Sequence, residues 1–152
     1  MIYTESRKGK AMKKYTQSDF DNFEVDENGY KICPSGDYTQ ISSFGAWCRF
    51  GERCNFGEKC SFENGAVKNG RYVAVDRIGS ANRKAYFFMD EDGKMFVRAG
   101  CWFSDMAAFR ERVKKVHAGT MHEKTYLAAC DFAELMLKAG AFRSARPKGV
   151  IK

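Results

Sequence analysis

YTQISSFGAWCRFGERCNFGEKCSFENGAV, residues 38–67, is the stretch from which the fold is read. Broken into sixes it becomes YTQISS, FGAWCR, FGERCN, FGEKCS and FENGAV. An aromatic ring opens each hexad: Tyr38, Phe44, Phe50, Phe56 and Phe62. A small residue stands fifth: Ser42, Cys48, Cys54, Cys60 and Ala66. Gly follows the ring at positions 45, 51 and 57. A short fixed period of this kind marks a stack of identical strand-and-corner units. Each ring is expected to point inward, and each small fifth residue to sit where the chain bends toward the axis. Cys48, Cys54 and Cys60 are read as small core filler. Five residues separate successive cysteines, whereas structural zinc sites place about two to four between them. In a turn of three hexads they would face three ways, so no metal site is expected.

These hexads resemble the hexapeptide repeat of left-handed parallel β-helix proteins. In that family an apolar residue opens each hexad, Gly or a small polar residue often follows, and a small residue is fifth. The resemblance covers about 30 of the 152 residues. Phe in first place departs from the family's usual Leu, Ile or Val and implies a wider or distorted coil. Three hexads make one turn in that family, so five imply a stub of less than two turns. Such a stub needs caps, because stacked coils leave open edges and apolar ends.

The flanking segments supply the caps. Phe23–Glu27 and Tyr30–Cys33 alternate apolar and polar around Asn28-Gly29, which predicts a β-hairpin with a type I′ turn. From residue 71 the period becomes two. Strands at 72–75, 85–89 and 94–98, the last two joined at Asp92-Gly93, predict a three-stranded meander over 71–103. The period then turns helical. Ser104 is a candidate N-cap, with Met106, Phe109, Val113 and Val116 on one face. Thr120 and Glu123 suggest a capping box for a second helix presenting Tyr126, Cys130, Ala133 and Leu137. The expected fold is therefore α+β: a short hexapeptide β-solenoid stub capped by a β-hairpin and a three-stranded antiparallel meander, followed by a C-terminal αα-hairpin. The expected parts are a basic arm (1–18), one domain (19–139) and a basic tail (140–152). Within the domain lie the hairpin (19–37), the hexads (38–67), the meander (71–103) and the two helices (104–139).

The net charge of +7 is unevenly placed. Residues 1–18 carry +4, residues 19–37 carry −5, residues 38–139 carry +4, and residues 140–152 carry +4. Thirteen Phe, seven Tyr and two Trp exclude a wholly disordered chain. No apolar run approaches the roughly 18 residues of a membrane span. The charged start lacks an apolar stretch behind it and is not read as a signal peptide, so a cytoplasmic setting and reduced thiols are expected. No membrane partner is expected.

No phosphate loop, nucleophile elbow or zinc-protease motif occurs. Many hexapeptide-repeat proteins are acyltransferases, trimers with long coils and a catalytic His. The two histidines here, His117 and His122, flank an interhelical turn far from the repeat and are read as cap and surface residues. No catalytic residue and no cofactor is assigned. Basic residues are the binding candidates: Lys8, Lys10, Lys13 and Lys14 in the arm, Arg143, Arg146 and Lys148 in the tail. Arg71, Arg77, Arg83 and Lys84 flank the meander and are candidates for one patch. Lys/Arg arms follow phosphates without sequence specificity.

The chain is also similar overall to small accessory proteins of phages and mobile elements. That likeness implies a non-enzymatic interaction protein that inhibits a host defence complex, of the anti-CRISPR type, in the host cytosol. Its partner would be a protein, with nucleic acid engaged through the basic arms. The two other readings are an acyltransferase-like protein and a nucleic-acid-binding module working through its arms.

Overall fold

The computed structural model describes residues 12–51, 53–57 and 60–139. The architecture is mixed α+β, with two short parallel strand pairs, a four-stranded antiparallel sheet and C-terminal helices. The chain divides into two units, Met1–Asn69 and Gly70–Lys152.

The first unit opens with a short helix, α1 (Gln17–Asp21), capped by Thr16. Four three-residue strands follow: β1 (Lys31–Cys33), β2 (Gly36–Tyr38), β3 (Cys48–Phe50) and β4 (Cys54–Phe56). β1 pairs with β3 and β2 with β4, both in parallel. Gly36 faces Cys54, and Ser43 forms a parallel bridge with Ser61, each partner three hexads further along the chain. The repeat places its rings inward as expected. Tyr38 and Phe44 are fully buried, and Phe50 and Phe62 nearly so. Tyr38 stacks on Phe56 with centroids 5.7 Å apart, and Phe44 on Phe62 at 5.4 Å. Phe50 meets both pairs edge-on. These are the two arrangements that ring quadrupoles favour.

The recurring Gly-x-x-Cys has a function in the backbone. The Cys48, Cys54 and Cys60 thiols donate to the carbonyls of Gly45, Gly51 and Gly57, at 3.3, 3.5 and 3.2 Å. Strands of three residues leave corner carbonyls without ladder partners, and a weak S–H donor three residues on satisfies them. Larger residues would not fit some corners: a Cβ on Gly51 would run into Ser35.

Three expectations for this unit change. Residues 12–18 are not an arm: Tyr15 is buried and stacks on Tyr38 at 5.1 Å, and Lys14 bridges to Asp37 in parallel. Residues 1–11 lie outside the described residues. The hairpin is reduced to one antiparallel bridge, Val25 to Lys31, and the other edge of β1 pairs in parallel with β3. The turn is also of another type. Only Gly29 has a positive φ, of 87°, and the Asp26 carboxylate accepts from the amides of Asn28 and Tyr30. This is a type I turn closed by a left-handed glycine, the common three-residue hairpin loop. Asp90 and Gly93 repeat the same arrangement.

The second unit is a meander of β5 (Arg71–Ile78), β6 (Arg83–Met89), β7 (Met95–Ala99) and β8 (Trp102–Asp105). The sheet order is β5-β6-β7-β8, so the meander has four strands and not three. Two helices follow, α2 (Met106–Val116) and α3 (Met121–Lys138). Ala85, Phe87 and Met89 of β6 and Val97 of β7 face Phe109, Val113, Cys130, Ala133 and Leu137 in one core. Asp105, not Ser104, caps α2, its carboxylate accepting from Ala108 N at 2.8 Å. Ser104 stays in β8 and accepts from the Trp102 indole. Thr120 caps α3, but Glu123 reaches back to Gly119 N instead of closing the box on Thr120. Val116, expected on the core face, is 53% exposed.

Phe44→Ala removes a fully buried ring and should lower stability by about 3–5 kcal/mol, read by urea unfolding. Asp105→Ala should cost only about 1 kcal/mol. Cys101 is exposed whereas Cys33, Cys60 and Cys130 are buried. An alkylating reagent should therefore label Cys101 before Cys33, Cys60 and Cys130, and equal labelling of those buried thiols would contradict this packing.

Candidate functional site

The second unit has a cavity of about 220 Å³ at one end of its sheet. Three chain segments that turn away from the sheet build it: the β5–β6 turn, the β7–β8 turn and the C-terminal half of α2. Tyr126 of α3 closes the side. The β5–β6 connection is tight and kinked. Arg77, Gly79 and Asn82 all have positive φ, and the register shifts between Val75 and Ile78. Gly79 is required by its neighbour, since a Cβ there would collide with the Tyr126 hydroxyl. Gly100, at φ 61°, has the Arg83 Nη1 2.7 Å from where a Cβ would stand. The glycines thus let Tyr126 and Arg83 lie against the backbone.

Arg83 shares the helix-side face of β6 with Ala85 and Phe87, as strand alternation requires. Arg112 reaches over the Trp102 ring, its guanidinium carbon 4.3 Å from the centroid. His117, the C-cap of α2, packs on Tyr126 at 5.6 Å. Ile78, Ala85, Ala99 and Val113 give the cavity an apolar floor, and Lys84 lies at its rim. No acidic residue lines it. Among the described residues, Arg83 and Arg112 have no carboxylate partner, and the Tyr126 hydroxyl has no hydrogen-bond partner. Burial pushes the Tyr126 phenol above its usual range, and the Arg83 guanidinium pulls against that rise. The arrangement offers fixed positive charge beside free hydrogen-bonding groups over an apolar base. Chemically it suits an anion attached to something less polar.

The four basic residues expected to form one patch divide. Arg83 and Lys84 line the cavity. Arg77 is exposed in the bulge of β5. Arg71 is at the opposite end of the sheet, paired with Met89, and its Nη2 donates to the Leu137 carbonyl at 3.5 Å. It caps a helix C-terminus and joins no patch. Lys13 and Lys14 belong to the first unit, Lys13 above the Tyr15 ring and Lys14 near the Asp37 carboxylate. Lys8, Lys10, Arg143, Arg146 and Lys148 lie outside the described residues. Cys48 and Cys54 lie in strands that pair with different segments, opposite Lys31 and Gly36. Nothing in the spacing of the cysteines points to the approach of Cys33 to Cys48. Their shared hydrogen bond lowers the Cys48 thiol below its usual range and pushes Cys33 far up. Among the described residues no cluster of His, Cys, Asp or Glu has the geometry of a metal site, and no helix is long and apolar enough to cross a membrane.

Arg112, Trp102, His117 and Tyr126 were not singled out together by the sequence. Comparison adds no guide: no family model, curated protein or solved structure matches the chain.

The raised Tyr126 phenol has a consequence for stability. A group held more tightly protonated in the folded chain contributes stability that is intact below its unfolded value, about 10 for tyrosine, and is lost as pH rises past it. The wild-type chain should therefore lose more stability than Tyr126→Phe as pH rises from about 9 to 11. Parallel unfolding curves for the two proteins over that range would exclude the coupling.

Proposed function

We propose that this chain is a non-enzymatic binding protein whose second unit holds an anionic group of its partner in the cleft between Arg83 and Arg112. The observation that supports this most is the pair of guanidinium groups without carboxylate partners, facing a cavity that no acidic residue lines. Both guanidinium groups are exposed at the cavity, and each can donate charge-assisted hydrogen bonds from its planar fork to a phosphate or carboxylate. Lys84 adds positive potential around the same opening. We read the first unit as the scaffold, a short coil with three hexads to the turn. The spacing of Gly36 from Cys54 and of Ser43 from Ser61 supports that reading. Inhibition of a host defence complex is one role such a binding protein would fill, with the anion supplied by the complex.

Trp102 is a built-in reporter, since Arg112 sits on its ring. In a Trp47→Phe background, tripolyphosphate should change the fluorescence of Trp102 saturably, and the affinity should fall as salt screens the attraction. Arg83→Glu should abolish the change, and Arg112→Gln should weaken it about tenfold. Circular dichroism checks that each variant is folded. An unchanged affinity in folded Arg83→Glu, or no response to the anion at all, would reject the proposal.

A further inference from the structure

We infer that the anion bound in this cleft is the phosphate of a nucleotide, with the base lying on the cavity floor. The inference rests on the anion-binding reading above and adds the nature of the body that carries the charge. The first support is size: a cavity of about 220 Å³ holds far more than a bare oxyanion. The second is the division of the walls. Arg83 is held against Gly100 at one edge, whereas Ile78, Ala85, Ala99 and Val113 present a dry surface beside it. A phosphate alone would leave that surface wet, and an aliphatic phosphate would leave the polar wall unmatched.

The third support is the Arg112 guanidinium, whose carbon stands 4.3 Å over the Trp102 ring centroid. Arginine guanidiniums and aromatic rings are recurrent platforms for unstacked bases, and both line this cavity side by side. The fourth is the hydrogen-bonding inventory. The Tyr126 hydroxyl, the His117 ring and the Ser80 hydroxyl all line the cavity. None of them uses its side chain in a hydrogen bond to another described residue. A nucleobase carries donors and acceptors around its edge that would satisfy them. The ring of a phosphotyrosine carries none. The roles follow: Arg83 for the phosphate, Arg112 for the face of the base, Tyr126 and His117 for its edge. The same chemistry is found in a free mononucleotide and in the phosphorylated end of a nucleic-acid strand.

The test uses the full chain with Trp47→Phe and compares adenosine 5′-monophosphate, ribose 5-phosphate, tripolyphosphate and phosphotyrosine. The nucleotide should bind at least about tenfold more tightly than ribose 5-phosphate, since stacking on a base is the difference between them. Arg83→Gln should weaken both by a similar factor. Arg112→Lys keeps the charge but loses the plane, so it should weaken the nucleotide more than the sugar phosphate. Equal affinity for nucleotide and ribose 5-phosphate, or for nucleotide and phosphotyrosine, would overturn the inference while leaving anion binding in place. Failure of all four ligands to bind would overturn both. A short oligonucleotide with a 5′-phosphate, set against the same strand with a 5′-hydroxyl, separates the sources. Tighter binding of the phosphorylated strand than of the mononucleotide assigns the site to strand ends, and equal binding assigns it to the free nucleotide.

Discussion

The stacking of Tyr38 on Phe56 and of Phe44 on Phe62 sets the spacing of the first unit. Neighbouring parallel strands stand about 4.8 Å apart, close to the separation at which offset rings attract one another. Rings carried on parallel-paired segments therefore stack without straining the ladder. The hexad opens on an aromatic for this reason, and the other positions follow from it. Gly stands next at 45, 51 and 57, and at 51 a side chain would collide with Ser35 of the neighbouring segment. A strand of three residues satisfies few of its own carbonyls, so a thiol reaches back to each Gly carbonyl. Serine would make a stronger hydrogen bond there. Cysteine, however, behaves mainly as a small hydrophobe and can be buried beside a phenyl ring at little cost.

The periodic part of this unit was legible because periodicity is a local property. What the period does not contain was missed. Tyr15 extends the Tyr38 column from a segment whose lysines made it look like a solvated arm. Cys33 stands opposite Phe50 in the ladder although it precedes the first hexad. Both are recruited by the shape of the stack, and their own neighbours in sequence carry no trace of it. The turns show a subtler limit. Asn28-Gly29 and Asp92-Gly93 were recognised as turns, but the dipeptide does not decide the type. Asp26 and Asp90, two residues before the Asn or Asp, accept two amides each and pull the loop into a type I turn followed by a left-handed glycine.

In the second unit the alternation of Ala85, Phe87 and Met89 announced the sheet, and the helical period announced α2 and α3. Their junction was misjudged. Trp102 to Asp105 reads equally as a strand end or as the approach to a helix, and the pairing of Phe103 with Arg98 decides for the strand. That fourth strand carries Trp102 to the mouth of the cleft. The cleft itself gathers residues from four places in the chain, so no window of sequence displays it. One signal was available. Gly79 and Gly100 each end a strand of the same meander on the same side, and glycines there allow close approach of bulky side chains.

Arg110 and Arg112 show why such a site cannot be read from residue types. They are two positions apart on α2, and in sequence they are equivalent. Arg110 turns toward α3 and binds Asp131 at 3.0 Å and Glu134 at 2.9 Å, with Lys138 completing the group on Glu134. Its charge is spent on joining two helices. Arg112, about 200° further round the helix, meets no carboxylate and rests on Trp102. Attraction between a cation and an indole face is real but small, and it leaves the guanidinium edge with its hydrogen-bonding capacity. Carboxylates are available on the same helices, yet none is placed at the cleft. The arrangement balances one arginine within the fold and leaves its near neighbour, together with Arg83, without a carboxylate among the described residues, and on that difference the proposed anion site rests.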